Sequence, residues 1–196
     1  MDVRSAIQIW LKTHQDSVAR ELVETLYPQV ASIVRRHLPQ RMDIDDLTQE
    51  VFSKFFANLQ RYDPQQPVEN WLSRLTLNHC RDQLRRERAR PELRWSDLSE
   101  TQQTFFTDQS ALSMDGAGDP VMAEDARRLV ETVLQTLPGD DQILLRMLYL
   151  EGRGLKEVAD LLNWSGPLTR LRAYRARQRA HKTLKLLKFQ RQNKTF

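Results

Sequence analysis

Apolar residues in this chain recur at intervals of three and four, the spacing of a helix face, in two blocks at about 1–90 and about 121–190; neither block contains a convincing strand. In the first block Ile44, Leu47, Val51, Phe55 and Leu59 share one side, widened by Phe52 and Phe56, and Asp43 stands where an N-cap belongs. Pro39 ends the helix before it. The segment Arg61-Tyr62-Asp63-Pro64-Gln65-Gln66-Pro67 breaks the pattern, which resumes with Trp71, Leu72, Leu75 and Leu84 and closes at Pro91. In the second block Leu129, Val130, Val133, Leu134 and Leu137 form a stripe that stops at Pro138-Gly139. Asp140 is then placed to cap a helix holding Ile143, Leu144, Met147 and Leu148. Glu151-Gly152-Arg153-Gly154 reads as a turn. A short helix at 155–162, a tight turn at Asn163-Trp164-Ser165-Gly166 and a basic helix from Pro167 to about Leu187 follow, in the order of a helix-turn-helix. The expected fold class is all-α: two helical domains joined by a flexible linker, the C-terminal one a helix-turn-helix.

Charge is segregated more sharply than the net +4 suggests. From Leu161 to the end stand ten Lys and Arg and no Asp or Glu, and a second basic run spans Arg81 to Arg94. Between Glu92 and Asp125 the sign reverses, and Asp115-Gly116-Ala117-Gly118-Asp119-Pro120 marks an acidic linker at 91–120. The single Cys excludes an internal disulfide or a thiolate zinc cluster and points to a reducing compartment. The patch Ala6, Ile7, Ile9, Trp10, Leu11, broken by Gln8 and closed by Lys12, is far short of an export signal or membrane span. A cytoplasmic place, with no membrane insertion, is expected. The sequence has no Gly-rich phosphate loop, no paired zinc histidines and no Gly-x-Ser-x-Gly elbow. Asp43, Asp45 and Asp46 lack the distant ligands that would complete a metal site. The expectation is a protein without catalytic residues, metal or cofactor.

The helix beginning at Pro167 has an almost wholly cationic polar side, which matches the phosphates of a duplex. Its N-terminal turns would reach base edges, through Thr169, Arg170, Arg172 and Tyr174. In the first block the helix of Leu47, Val51 and Phe55 turns Asp45, Gln49, Glu50 and Ser53 outward, a polar stripe suited to a basic partner helix.

The string Asp43-Ile44-Asp45-Asp46-Leu47-Thr48-Gln49-Glu50-Val51-Phe52, followed by Arg61-Tyr62-Asp63-Pro64, Trp71-Leu72-Ser73-Arg74-Leu75, Asn78, Asp82 and Leu84-Arg85-Arg86, resembles the promoter-melting domain of bacterial sigma-70-type factors. The resemblance is to the small extracytoplasmic-function group, and with the helix-turn-helix it covers nearly the whole chain. It implies a region-2-like domain at 1–90 and a region-4-like domain at 121–196. Asp45, Asp46, Leu47, Gln49, Glu50 and Ser53 would then dock on core RNA polymerase. Tyr62, Asp63, Trp71, Arg74, Asn78, Arg81, Arg85 and Arg88 would read and hold the opened minus-ten element. There Asn78 supplies an amide for a base edge, the arginines follow phosphates, and Tyr62 and Trp71 are placed to stack. Trp71 is equally in phase with the core. Asp82 would orient neighbouring arginines, and His79 and Cys80 are packing positions. Thr169, Arg170, Arg172, Tyr174, Arg175 and Arg177 would read the minus-thirty-five element. Pro167, Thr169 and Ala173 depart from the family's small and aliphatic residues there, and Leu168 and Leu171 could take the buried side instead, so the register of this helix stays open.

The implied function is a sigma factor that directs core RNA polymerase to promoters by reading two boxes and capturing the opened non-template strand. Its partners would be core RNA polymerase and promoter DNA, double-stranded and locally melted; an anti-sigma factor stays open as another. Two alternatives remain at this point: a helix-turn-helix regulator that binds DNA without polymerase, and a sigma mimic that sequesters an anti-sigma factor.

Overall fold

A computed structural model describes residues 2–39, 41–89 and 120–192, and every regular element among them is helical. The linker expected at 91–120 lies outside the described residues, apart from Pro120, which opens a helix. So do the last residues, 193–196.

The chain forms α1 (Val3–Thr13), α2 (Asp16–His37), α3 (Ile44–Asn58), a 3-10 turn at Leu59–Arg61 and α4 (Val68–Arg88). From residue 120 on come α5 (Pro120–Thr136), α6 (Gly139–Leu145), a π-helical turn at Arg146–Leu150, α7 (Leu155–Leu162) and α8 (Gly166–Gln192). These pack as two compact units, one of Met1–Asp82 with Arg146–Thr169, the other of Gln83–Leu145 with Arg170–Phe196.

In the first unit the helices bury their periodic residues: Leu22, Leu26, Val30 and Val34 from α2, Leu47, Val51 and Phe55 from α3, Leu72 and Leu77 from α4. Phe55 is wholly buried, its ring 5.2 Å from Phe56 and 5.4 Å from Trp71. Trp10 of α1 closes this aromatic cluster against Phe56 at 4.9 Å. Gln29 ties α2 to α4 by donating to the Glu69 carbonyl and the Ser73 hydroxyl at 2.7 and 2.9 Å. The Asp43 cap forms as expected: its carboxylate accepts from the amides of Asp45 and Asp46 at 2.9 and 3.2 Å.

The helix-turn-helix also forms. Asn163 closes α7 in the left-handed region at φ 54, and the Trp164 amide donates back to the Ala159 carbonyl at 2.9 Å. Ser165 caps α8 by accepting from the Leu168 amide at 3.4 Å, so the helix starts at Gly166, one residue before the expected Pro167. It also runs past the expected Leu187 to Gln192. In the turn before α7, Gly152 takes φ +66, which a side chain would strain.

The second unit buries Val133, Leu134 and Leu137 with Ile143, Leu144 and Leu145. The expectation that Asp140 caps a helix is corrected: α6 already includes Gly139, and the Asp140 carboxylate accepts from Arg172 at 2.8 Å.

Candidate nucleic-acid and partner interfaces

On α3, the cap at Asp43 fixes the first turn, so Asp45, Asp46, Gln49, Glu50 and Ser53 stand exposed at helical intervals while Leu47 turns inward. Leu47 is buried in the core, which corrects its expected place among partner-contacting residues: it holds the helix down. Two of the exposed acids are held in position. Asp45 accepts from the Tyr27 hydroxyl at 2.6 Å, and this hydrogen bond raises the Tyr27 pKa. Glu50 lies 3.3 Å from Nε2 of His79, whose Nδ1 is 2.7 Å from Lys54 Nζ. His79 is therefore more than a packing position; it is a buried polar link between α3 and α4. A Glu and a Lys four apart on one helix are visible in the sequence, but their meeting with a histidine on another helix leaves no local signal.

On α4, Arg74, Asn78, Arg81, Arg85 and Arg88 follow one another at intervals of four, three, four and three, which puts them along a single helix face. Asn78, Arg85 and Arg88 are exposed and Arg74 and Arg81 half-buried. Arg81 donates to Asn78 Oδ1 at 3.1 Å and sits 5.3 Å over the Trp164 ring. Arg74 reaches Gln66 of the preceding loop at 3.5 Å. Asp63 is exposed and closes that loop by accepting from the Gln65 amide at 2.9 Å.

Tyr62 differs from expectation. Its ring is buried 5.2 Å from Trp71, and its hydroxyl donates to the Gln66 carbonyl at 2.5 Å. Burial raises its pKa, and the ring is committed to holding the loop rather than offered to a base. Trp71, half-buried between Phe55 and Tyr62, keeps one side in reach of solvent.

The register of α8, left open by the sequence, is decided by which of its residues are buried. Thr169, Ala173 and Ala176 form its buried side, and the Thr169 hydroxyl donates to the Ser165 carbonyl at 2.9 Å, so Thr169 is removed from any groove-reading set. Leu168 and Leu171 face out. Arg172 pairs with Asp140, and Arg179 with Asp141, whose carboxylate is almost wholly buried. Arg170, Tyr174, Arg175, Arg177 and Gln178 are exposed. Gln178, not singled out in the sequence, stands opposite the buried Thr169, Ala173 and Ala176.

The sigma-70 region 2 family matches residues 22–90, which run from within α2 through α3 and α4. The chain is 27% identical over 158 residues to the ECF RNA polymerase sigma-E factor of Escherichia coli K12, an alignment covering 80% of this chain and 81% of that protein. The stretch 22–90 is a sigma-70 region 2 domain, and over about four-fifths of its length the chain resembles extracytoplasmic-function sigma factors. The Haemophilus influenzae sigma-E factor is 24% identical over 157 residues, covering 80% of this chain and 82% of that one. The solved structure of CnrH in complex with the cytosolic domain of CnrY shares the fold, at 21% identity and a TM-score of 0.50 over 94% of this chain and 99% of that one. Among the described residues, no helix is long and apolar enough to cross a membrane.

Proposed function

We propose that this chain is a sigma factor that brings core RNA polymerase to its promoters and helps open them, using three surfaces in turn. The exposed polar stripe of α3, from Asp45 to Ser53, docks on a basic helical surface of the polymerase. The α4 face from Arg74 to Arg88 takes the opened non-template strand at the minus-ten element, with arginines along the phosphates and Asn78 on a base edge. The α7–α8 helix-turn-helix reads the minus-thirty-five element as duplex, through Arg170, Tyr174, Arg175 and Arg177. The domain boundaries go with this reading: a region-2-like body at 1–90, an acidic tether at 91–120 and a region-4-like body at 121–196.

The observation that carries the proposal is the single cationic face of α4 inside the matched region, with an amide side chain in its middle. Unstacking bases costs a few kcal/mol each, and a face that supplies phosphate contacts together with a base-edge reader offsets that cost. The sigma factor performs no bond-making step; its binding energy deforms the duplex while the polymerase makes the phosphodiester bonds. It works in the cytoplasm.

Run-off transcription on fragmented genomic DNA with purified core polymerase tests the whole reading. Discrete transcripts that depend on the sigma factor are expected, and none would refute it. Within that assay Asn78→Ala should retain polymerase binding and lose transcription from duplex promoters, while recovering on templates already mismatched open across the minus-ten element. Equal transcription by the variant from duplex DNA would remove Asn78 from the opening step.

A further inference from the structure

Leu168 and Leu171 stand outward in the first two turns of α8, 37% and 45% exposed, while the smaller Thr169, Ala173 and Ala176 take the buried side. A helix that buries a threonine and two alanines and leaves two leucines more than a third exposed places smaller groups inside and larger apolar groups partly outside, the reverse of what folding alone would select. Three positions apart, the two leucines are neighbours on the helix surface. Tyr174 and Arg175, both exposed, stand three and four positions past Leu171 on the same side, Arg170 is exposed on the far flank, and α8 contains no acidic residue. The surface is therefore a small apolar strip at the start of the second helix of a helix-turn-helix, bordered by cations.

The cationic border selects the class of partner. An anionic surface with an apolar group recessed between its charges is what the major groove presents: phosphates on either side, and on its floor one apolar group, the C5-methyl of thymine. The N-terminal turns of such a helix are the part that reaches the floor. We propose that Leu168 and Leu171 are specificity-determining residues that seat thymine methyl groups of the upstream promoter duplex, with Arg170 and Arg175 on neighbouring phosphates. The inference rests on the duplex-reading role proposed for α8 and adds which chemical group it reads. Uracil lacks that methyl, so the strip also prefers DNA over RNA of the same sequence.

The test uses the full-length sigma factor with core polymerase. Duplexes randomised across the upstream box, joined to a fixed pre-opened minus-ten segment, are selected for binding, and each thymine recovered is then replaced singly by deoxyuridine. At the thymines that meet the leucines, losing the methyl should weaken binding about three- to fivefold. Leu171→Ala should erase the thymine-to-deoxyuridine ratio at one position and Leu168→Ala at another, whereas Arg175→Ala should weaken both kinds of duplex alike and leave the ratio unchanged. Because each ratio is taken within one variant, a loss of folded protein does not move it. Deoxyuridine without effect at every position, or leucine variants that keep the wild-type ratio, would overturn the inference while leaving duplex reading in place. A selection that returns no upstream preference would overturn both.

Discussion

Glu151 offers a quantitative test of the first unit. Its side chain is only one-tenth exposed; Oε1 lies 2.9 Å from His37 Nε2, and Oε2 lies 2.6 Å from Arg153 and 3.7 Å from Arg36. Arg153 in turn pairs with Glu157 at 2.5 Å. Burial alone would push the Glu151 carboxyl up, but the close approach of His37 and the hydrogen bond from Arg153 outweigh it and hold the pKa at about 2 instead of 4.5. A depressed carboxyl stabilises the folded state fully above its unfolded value, and that contribution is lost as pH falls from about 4.5 toward about 2. The shift corresponds to about 3 kcal/mol, trimmed to about 2 because Arg36 and Arg153 are partly solvated. Glu151→Gln keeps the shape and mimics the protonated acid. Urea midpoints followed by tryptophan fluorescence should therefore place the variant about 2 kcal/mol below the wild type at pH 6, with the gap closing as pH falls through 4 and 3 toward 2. A gap that stays constant between pH 6 and pH 2.5, or is absent at pH 6, would refute the assignment of this stabilisation to the ionised carboxyl.

Two further predictions concern the core beneath the α3 and α4 surfaces. Phe55→Ala opens a cavity beneath Phe56 and Trp71 and should cost about 3–5 kcal/mol in urea unfolding; a loss under about 1 kcal/mol would mean the cluster refills the space. Cys80 is fully buried, and burial pushes its thiol up to about 12, so in native protein at pH 8 iodoacetamide should label it far more slowly than in urea. Equal rates would place the thiol at the surface.

Much of the fold was legible because helix signals are local. The period of Leu47, Val51 and Phe55, the cap at Asp43, the breaks at Pro39 and Pro67, and the turn at Asn163–Gly166 each act within a few residues, and each reappears in the structure. The basic face of α4 was legible for the same reason, since the intervals between Arg74 and Arg88 fix a common side once the helix exists. Tyr62 was misjudged because aromatic residues serve cores and stacking surfaces equally well, and only the Gln66 carbonyl and the Trp71 ring decide between them.

What the chain by itself determined is where helices begin, end and carry charge. What only the tertiary structure decided is which way α8 faces and which charges are held. A sequence with apolar residues at 168, 171, 173 and 176 allows two rotations of that helix. Asp140 and Asp141, presented on α6, draw Arg172 and Arg179 to one flank, and Thr169, Ala173 and Ala176 are small enough to pack closely beneath. The link of Glu50 through His79 to Lys54 and the clasp of Glu151 on His37 are of the same kind. A helix's period is set by its own backbone, but its rotation about its axis is set by the surface it meets, and that surface comes from residues distant in the sequence.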